Sequence, residues 1–478
     1  MLGFKRFRRF SRVNRAVPGT NLVTVPFGFA GAVIVLLGAT LVLDGILGGR
    51  PIILLPHWLT VGSLEDAQSI LSAILSTVST VLALIFSVTL LVFSTASSQF
   101  GPRLMPHFLR DRTMQITLGL FLATFLHSLL TFAVAGQRGD QLFVPQLTVL
   151  TDIALVLASF GYLVVYNNRV AQAIQTNNVI PQIVENLYAA ISELADSQAS
   201  VTRDVSSAAA GETAEALRDR CVADAAPVLA VTSGYMQRID HKRLFHTAAQ
   251  REALVCVTFR PGQFILEGEA LAYVLPATRG AELAAAIRGA VMIGQHRTLE
   301  QDIEFAFAQL SEIAIRALSP AVNDTYTGLI CIDWLGDAVR MLVALPMSDG
   351  AWRTDRGEVR LLFPPVRMAR IVPAAFDLIR QAGATNPAVI VRLLQTYGRL
   401  APLLRNEEQR RVILDQAEAA RESMSLSPVV GLDRASLDAA YRLARERLTA
   451  GLDSALGQAV VQAVSEGDTG GTNLRART

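Results

Sequence analysis

Charged residues are scarce in this chain of 478 residues, since Asp, Glu, Lys and Arg together make up 18% of it, whereas globular proteins average about 25%. Lysine is nearly absent and occurs only at Lys5 and Lys242. The 51% apolar composition excludes a disordered protein. The sequence contains no basic stripe of the kind that binds DNA or RNA, so we expect no nucleic-acid partner.

Cysteine is also rare, and the three cysteines, Cys221, Cys256 and Cys331, lie far apart. They form neither a disulfide framework nor a metal-binding spacing, which is typical of a reducing compartment. The usual motifs of metalloproteases, P-loop enzymes, serine hydrolases and dinucleotide-binding enzymes are missing as well. The sequence therefore predicts no enzyme, no catalytic or metal site and no cofactor.

Long apolar runs are what the chain does have. A helix needs roughly 20 apolar residues to cross the hydrocarbon core of a bilayer. Four stretches meet that length: Val25–Leu47, Ile70–Phe93, Met114–Ala135 and Phe143–Tyr166. Four such runs in succession predict a membrane protein with four transmembrane helices. The lipid bilayer is therefore an expected partner.

The basic residues around these runs are distributed unevenly. Six lie within residues 1–15, three more lie at 103–112 after the second run, and Arg169 follows the fourth run, whereas the opposite side carries only Arg50 and Arg138. Basic residues are enriched on the cytoplasmic side of membrane proteins. We therefore expect a multi-pass membrane protein with both termini in the cytoplasm.

The two parts of the chain differ in charge, because residues 1–169 hold 12 basic and 6 acidic side chains and the remainder holds 31 and 35. The predicted fold class is a membrane α-helical protein with a cytoplasmic α+β domain. The predicted segments are a basic N-terminus at 1–20, a four-helix transmembrane domain at 21–169, a helical connector at 170–226, a small β module at 227–278, a helical cytoplasmic domain at 279–464 and a disordered tail at 465–478.

The small β module is predicted from short apolar runs that glycine and proline interrupt. The expected strands are Val228–Tyr235, Leu254–Phe259, Gln263–Leu266 and Leu271–Leu275. The segment PGQFILEGEALAYV resembles the β-hammerhead of biotinyl and lipoyl carrier domains. Those domains present a lysine on an exposed hairpin, whereas Lys242 falls in a predicted helix. We therefore interpret the segment as a structural, hammerhead-like module.

The second apolar run carries serines at helical spacing. Ser72, Ser76 and Ser79 follow one another at steps of four and three residues, and Ser87 continues the same face. Hydroxyl groups on one face can line a water-filled pathway, and small residues also let helices pack closely. The sequence leaves both interpretations open, and in a homo-oligomer one face can serve both purposes.

Ionisable residues inside a membrane are candidates for function. His127 in the third run and Asp152 in the fourth lie at similar predicted depth, so the two side chains can pair. Such a pair can carry protons or respond to pH near neutrality, or it can be a hydrogen bond that fixes two helices. Asp44 lies near the end of the first run, where we expect it to reach water.

A turn between two predicted helices is the remaining candidate site. Ser319 and Pro320 end a helix predicted over Leu299–Leu318, and Asn323 or Asp324 can cap the next helix. We assign a structural role to this turn.

Three segments resemble the DUF2254 family of predicted bacterial membrane proteins. They are SSQFGPRLMPHFLRDR at 97–112, HRTLEQDIEFAFAQLSEIAIRALSPAVND at 296–324 and CIDWL at 331–335. The chain departs from the family pattern at Thr325, where proline is usual, and at Gly328, where alanine is usual. The resemblance implies four spans, a cytoplasmic domain and a location in the bacterial inner membrane, but no biochemical activity.

The sequence favours a homo-oligomeric, channel-like or transport protein that its cytoplasmic domain gates. The alternative is a membrane-anchored scaffold or sensor whose cytoplasmic domain binds a partner. The transported ion or solute is not identified by either interpretation.

Overall fold

The computed structural model describes residues 24–47, 63–100, 111–138, 141–143, 145–173, 176–202, 213–425 and 431–450. The segments predicted at 1–20 and 465–478 lie outside these residues. The chain forms two compact units, Met1–Asn178 and Val179–Thr478.

The first unit contains four helices that are long and apolar enough to cross a membrane. They are α1 (Thr24–Leu47), α2 (Leu64–Phe100), α3 (Arg112–Val134) and α4 (Gln146–Ala173). The short strands β1 (Gly136–Arg138) and β2 (Gln141–Phe143) form an antiparallel hairpin between α3 and α4. Helices α3 and α4 each contact all three other helices of this unit.

The predicted bounds of the apolar runs need two corrections. Helix α2 extends beyond the expected Ile70–Phe93 at both ends, because hydropathy marks the apolar part of a helix and not its full length. The fourth helix does not begin at Phe143, which lies in β2 and pairs with Gly136. Pro145 lies immediately before α4.

The second unit begins with the helices α5 (Thr176–Thr202) and α6 (Ala214–Asp224). A region of alternating strands and helices follows: β3 (Ala226–Leu229), β4 (Gly234–Ile239), α7 (His241–Gln250), β5 (Leu254–Val257), β6 (Phe264–Ile265), β7 (Ala270–Leu275), α8 (Gly280–Gly289) and β8 (Val291–Gly294). The remaining elements are α9 (Ile303–Ala317), α10 (Thr325–Val343), β9 (Ala351–Arg353), β10 (Val359–Leu362), α11 (Met368–Ala382), α12 (Pro387–Leu400), α13 (Glu407–Ser425) and α14 (Leu432–Thr449).

Two sheets organise the strands of this unit. One has the order β3-β7-β5-β10-β9, and the other has the order β6-β4-β8. Strand β10 pairs with β5 in parallel, with Leu361 opposite Val255, and β9 continues the sheet. The first sheet therefore joins segments about 100 residues apart in the chain.

The strand predictions were only partly right. The expected strand Val228–Tyr235 is wrong as a single element, because the chain turns after Leu229 and starts a second strand at Gly234 in the other sheet. Gly234 has a φ of 159° and lies against the backbone of Gly294, so a Cβ at this position would meet the Gly294 carbonyl at 2.7 Å. The structure does not confirm a hammerhead module, since the strands of 227–278 divide between two sheets, and β5 and β4 also pair with β10 and β8 outside that range.

The helices after β8 form the larger part of the core. Helix α9 packs against α10 and α11, and α12 packs against α10, α13 and α14. The side of α9 that faces these helices is apolar, with Phe307, Leu310 and Ala314 fully buried. The four apolar helices are thus followed in the chain by a helical domain with some sheet.

Candidate functional site

His127 and Asp152 lie next to each other in the four-helix unit. With its proton on Nδ1, His127 of α3 donates to Oδ1 of Asp152 in α4 at 2.8 Å. The hydroxyl of Ser128 donates to the same oxygen at 2.6 Å. Both members of the pair are fully buried, with 0% side-chain exposure. The structure thus brings together the two ionisable residues that the sequence placed at similar depth.

Further polar contacts join the helices around this pair. Thr124 of α3 and Ser159 of α4 share a hydrogen bond of 2.9 Å. Thr89 of α2 and Tyr166 of α4 share one of 2.7 Å. These three interhelical contacts run along α4, and apolar side chains pack between them.

Two polar atoms of the pair remain without a partner among the described residues: Nε2 of His127 and Oδ2 of Asp152. Burying an ionised group in an apolar environment is costly unless the group is paired and hydrogen-bonded. Each side chain uses one of its two polar atoms for pairing. The arrangement can therefore fix α3 to α4.

Asp44 has a role that the sequence analysis missed. It was expected to reach water, but its side chain is only 2% exposed. One carboxylate oxygen accepts from the backbone N–H of Leu147 at 2.9 Å, and the other accepts from Thr148, from the backbone N–H at 3.0 Å and from the hydroxyl at 2.7 Å.

These contacts make Asp44 of α1 the cap of α4. The first N–H groups of a helix have no partner within it, and a carboxylate there also interacts favourably with the helix dipole. Pro145 precedes α4 in place of the usual Ser, Thr, Asp or Asn cap. That missing local cap is the signal in the sequence that could have pointed to a capping residue on another helix.

The predicted hydroxyl face of α2 lies on the side away from the bundle. Ser72, Ser76, Ser79 and Ser87 are exposed, whereas the opposite face, which includes Leu71 and Val78, is buried against the other helices. Some hydroxyls are satisfied within the helix, as Ser72 donates to the Ser69 carbonyl at 2.9 Å. A single chain therefore encloses no pathway lined by these four serines.

The turn at Ser319–Asp324 has a defined backbone structure. The Ser319 hydroxyl donates to the Arg316 carbonyl at 2.7 Å, and Pro320 is exposed. Asn323 adopts a left-handed conformation with a φ of 51°. Asp324 caps α10, because its carboxylate accepts from the Thr327 N–H at 3.1 Å and from the Thr327 hydroxyl at 2.6 Å.

Helix α5 is attached to α10 by a polar and aromatic contact. The Tyr188 hydroxyl donates to Asp337 at 2.5 Å, and its ring meets Trp334 edge-on at 6.4 Å. Burial and the neighbouring carboxylate raise the pKa of Tyr188. Although burial opposes it, the hydrogen bonds from Arg340 and Tyr188 lower the pKa of Asp337. Both groups keep their ordinary charge states at neutral pH, so this attachment persists across the physiological range.

The cysteines are free and buried. Burial raises the pKa of Cys331 to about 12, which makes its thiol a poor nucleophile. Among the described residues, no group of three or more His, Cys, Asp or Glu side chains has an arrangement that could hold a metal ion.

Four membrane-length helices that bury a His–Asp pair, followed by a helical domain with some sheet, define a multi-pass membrane protein. The chain belongs to the DUF2254 family of predicted membrane proteins, whose sequence model matches residues 19–399. It is 28% identical over 373 residues to the uncharacterized proteins Rv1290c of Mycobacterium tuberculosis and Mb1321c of Mycobacterium bovis. Each alignment covers 76% of this chain and 70% of the relative. No solved structure matches the chain.

Proposed function

We propose that this protein is a homo-oligomeric, channel-like or transport protein of the bacterial inner membrane, with a solute pathway lined by α2 and gated by its cytoplasmic domain. The observation that carries the proposal is the outward direction of the α2 hydroxyl face. Ser72, Ser76, Ser79 and Ser87 lie on one side of α2, and the buried apolar residues lie on the other. The proposal includes no catalytic activity.

The direction of this face supports assembly of several copies. Without a hydrophobic driving force between helices in lipid, small residues and hydroxyl groups promote helix association in membranes. Copies that meet through α2 would place several hydroxyl faces around a common axis. Hydroxyl oxygens there can replace part of the hydration of an ion or polar solute.

The proposed orientation rests on the distribution of basic residues. Both termini and the second unit would lie in the cytoplasm. Helix α5 follows α4 after two residues and is attached to α10 through Tyr188. A movement of α10 can therefore be passed to α5, the helix that follows the fourth span.

Reporter fusions at Gly139 and at the C-terminus should report opposite sides of the membrane, and a periplasmic C-terminus would contradict this orientation.

Cysteine substitution tests the pathway directly. Ser72→Cys, Ser76→Cys and Ser79→Cys should each react with a membrane-impermeant thiol reagent in native membranes. The matched control is Leu84→Cys, because Leu84 is 61% exposed on the same helix but lies about 100° away from the serine face. The three native cysteines are buried and should give little background.

The same variants test assembly, because an oxidant should cross-link two copies through Ser79→Cys but not through Leu84→Cys. Cross-linking without reaction toward the reagent would mean a closed interface and would contradict the pathway. Absence of both cross-linking and reaction with the reagent would contradict the homo-oligomer as well.

A membrane-anchored scaffold or sensor is the second candidate. Tyr326 and Ile330, four residues apart on α10, form an exposed apolar row that the exposed Val322 precedes in the chain, and Tyr326 is 81% exposed. A row of this kind suits contact with a protein partner. A closed α2 interface in the cross-linking experiment, together with loss of partner binding in Tyr326→Ala, would favour this function.

A further inference from the structure

A cavity of about 160 Å³ lies within the second unit, between α5 and the sheet region. Its walls come from Ala190 and Leu194 of α5, the loop 259–261, the segment 299–304 and the residues around β9 and β10. An apolar cavity of about 150 Å³ is large enough to bind benzene, so this one can hold a small ring compound.

Aromatic rings form one wall of the cavity. The imidazole of His241 lies 4.7 Å from the ring of Phe363 and 6.0 Å from that of Trp352, measured between centroids. Phe259 and proline residues at 261, 364 and 365 add further flat apolar surface. Rings of this kind pack favourably against another planar ring.

The two buried or half-buried carboxylates at the cavity, Glu304 and Asp302, are paired with arginines. Arg260 and Arg370 both donate to Oε1 of Glu304, at 3.1 and 3.0 Å. Arg297 binds Asp302 with two hydrogen bonds of 2.7 and 2.9 Å. Burial lowers the pKa of His241 to about 4, so its imidazole is neutral at physiological pH and offers a donor and an acceptor. The lining also includes Glu193 and Glu300, both exposed to solvent, so acidic side chains outnumber the arginines and the walls disfavour an anion.

The wall segment 299–304 is held firmly in place. Gln301 accepts from the backbone N–H of Ile239 at 2.9 Å and donates to its carbonyl at 3.2 Å. Asp302 caps α9 through the N–H of Phe305 at 3.0 Å. Gly262 has a φ of 89° and lies so close to Asp302 that a Cβ would meet its carboxylate at 2.0 Å. The cavity is therefore bounded by a fixed wall on this side and by α5 on another.

We propose that this cavity is a binding site for a neutral, planar heteroaromatic compound of one or two rings, which stacks against the His241, Trp352 and Phe363 wall and contacts α5. The site lies entirely within the second unit, so the proposal does not depend on a pathway through α2. Because α5 follows the fourth span directly, the ligand would stabilise the helix that connects the two parts of the chain.

Isothermal titration calorimetry on the full chain in detergent micelles tests the site with two probes. Benzimidazole is neutral and planar, and benzoate has the same number of non-hydrogen atoms and a negative charge. We expect saturable binding of benzimidazole with a Kd of roughly 0.1–1 mM, and binding of benzoate at least tenfold weaker. Titration into protein-free micelles corrects for partition into detergent.

Two adjacent alanines of α5 give matched variants. Ala190 lines the cavity, whereas Ala189 is exposed and lies about 100° away around the helix. Ala190→Trp should fill the cavity and weaken benzimidazole binding at least tenfold, and Ala189→Trp should leave the Kd within twofold. Hydrogen exchange in wild-type α5 should slow when benzimidazole is added, which gives a test that needs no variant.

Three results would overturn the proposal. The first is the absence of saturable benzimidazole binding up to about 5 mM, together with unchanged exchange in α5. The second is equal affinity in a folded Ala190→Trp protein. The third is benzoate binding as tight as that of benzimidazole, which would contradict a neutral ligand.

Discussion

The buried imidazole of His241 should make the stability of the second unit depend on pH. Burial lowers its pKa from the ordinary 6.5 to about 4, against the opposing effect of the Asp240 charge. In the unfolded chain the group takes up a proton below about pH 6.5, whereas in the folded chain it stays neutral until about pH 4. The unfolded state therefore binds more protons in this window, and stability falls as the pH is lowered through it.

The size of this loss of stability follows from the shift in the pKa of His241. Between pH 7.5 and pH 5.5 the linkage amounts to about 1.3 kcal/mol, and it approaches about 3 kcal/mol at pH 4. A loss of 1.4 kcal/mol corresponds to a tenfold change in an equilibrium constant. Opening of the core should thus be nearly ten times more frequent at pH 5.5 than at pH 7.5 because of His241 alone.

Hydrogen exchange of the β5 amides in the full chain measures this opening, since α7 packs on β5 and β5 is buried. Wild type and His241→Phe share the sequence of β5, so their intrinsic exchange rates are equal at each pH. The ratio of their exchange rates should shift by about tenfold between pH 7.5 and pH 5.5. His246→Phe, at an exposed position of the same helix, is the control and should shift the ratio by less than threefold. An unchanged ratio for His241→Phe would refute the reasoning.

Three further predictions concern the caps and the intramembrane pair. Asp324→Ala should destabilise the start of α10 by about 0.5–2 kcal/mol, measured as faster hydrogen exchange there. Asn323→Gly should not destabilise it, because glycine accepts the left-handed conformation. Equal exchange in both variants would contradict the capping role of Asp324. Asp44→Ala should lower the free energy of unfolding of the chain in detergent by about 2 kcal/mol or more, because it leaves buried N–H groups unpaired. An unchanged Tm would show that water replaces the carboxylate. Asp152→Asn should preserve folding at a cost below about 1 kcal/mol, since its amide oxygen can still accept both hydrogen bonds, and it should abolish any pH dependence of transport. His127→Ala should mainly lower stability. A pH-dependent transport rate that survives in Asp152→Asn would exclude proton transfer by the pair.

Hydropathy predicts the spans of this protein well because the bilayer demands a fixed length of apolar helix. It does not predict where α2 ends, since the residues beyond its apolar part are polar yet still helical. The depth of His127 and Asp152 could be counted from the estimated ends of their spans, and their proximity follows from the short hairpin between α3 and α4.

Contacts between distant segments are what local patterns miss. The pairing of β10 with β5 depends on how a whole helical layer folds back, and nothing near Leu361 indicates Val255 as its neighbour. The outward direction of the serine face of α2 could not be deduced either, because both faces of that helix contain small or apolar residues. The cavity beside His241 is formed by six separate segments, so no single motif describes it.

The cap that Asp44 provides has a consequence for biosynthesis. Its two partner residues emerge from the ribosome more than 100 residues later, since Thr148 follows Asp44 by 104 positions. At 5–20 residues per second, the first helix waits roughly 5–20 s with a carboxylate that has no helix to cap. We therefore expect the first span to reach its final depth only after the fourth span has been made. A nascent chain arrested after the third span should keep Asp44 at the membrane surface, open to water and to quality-control proteases.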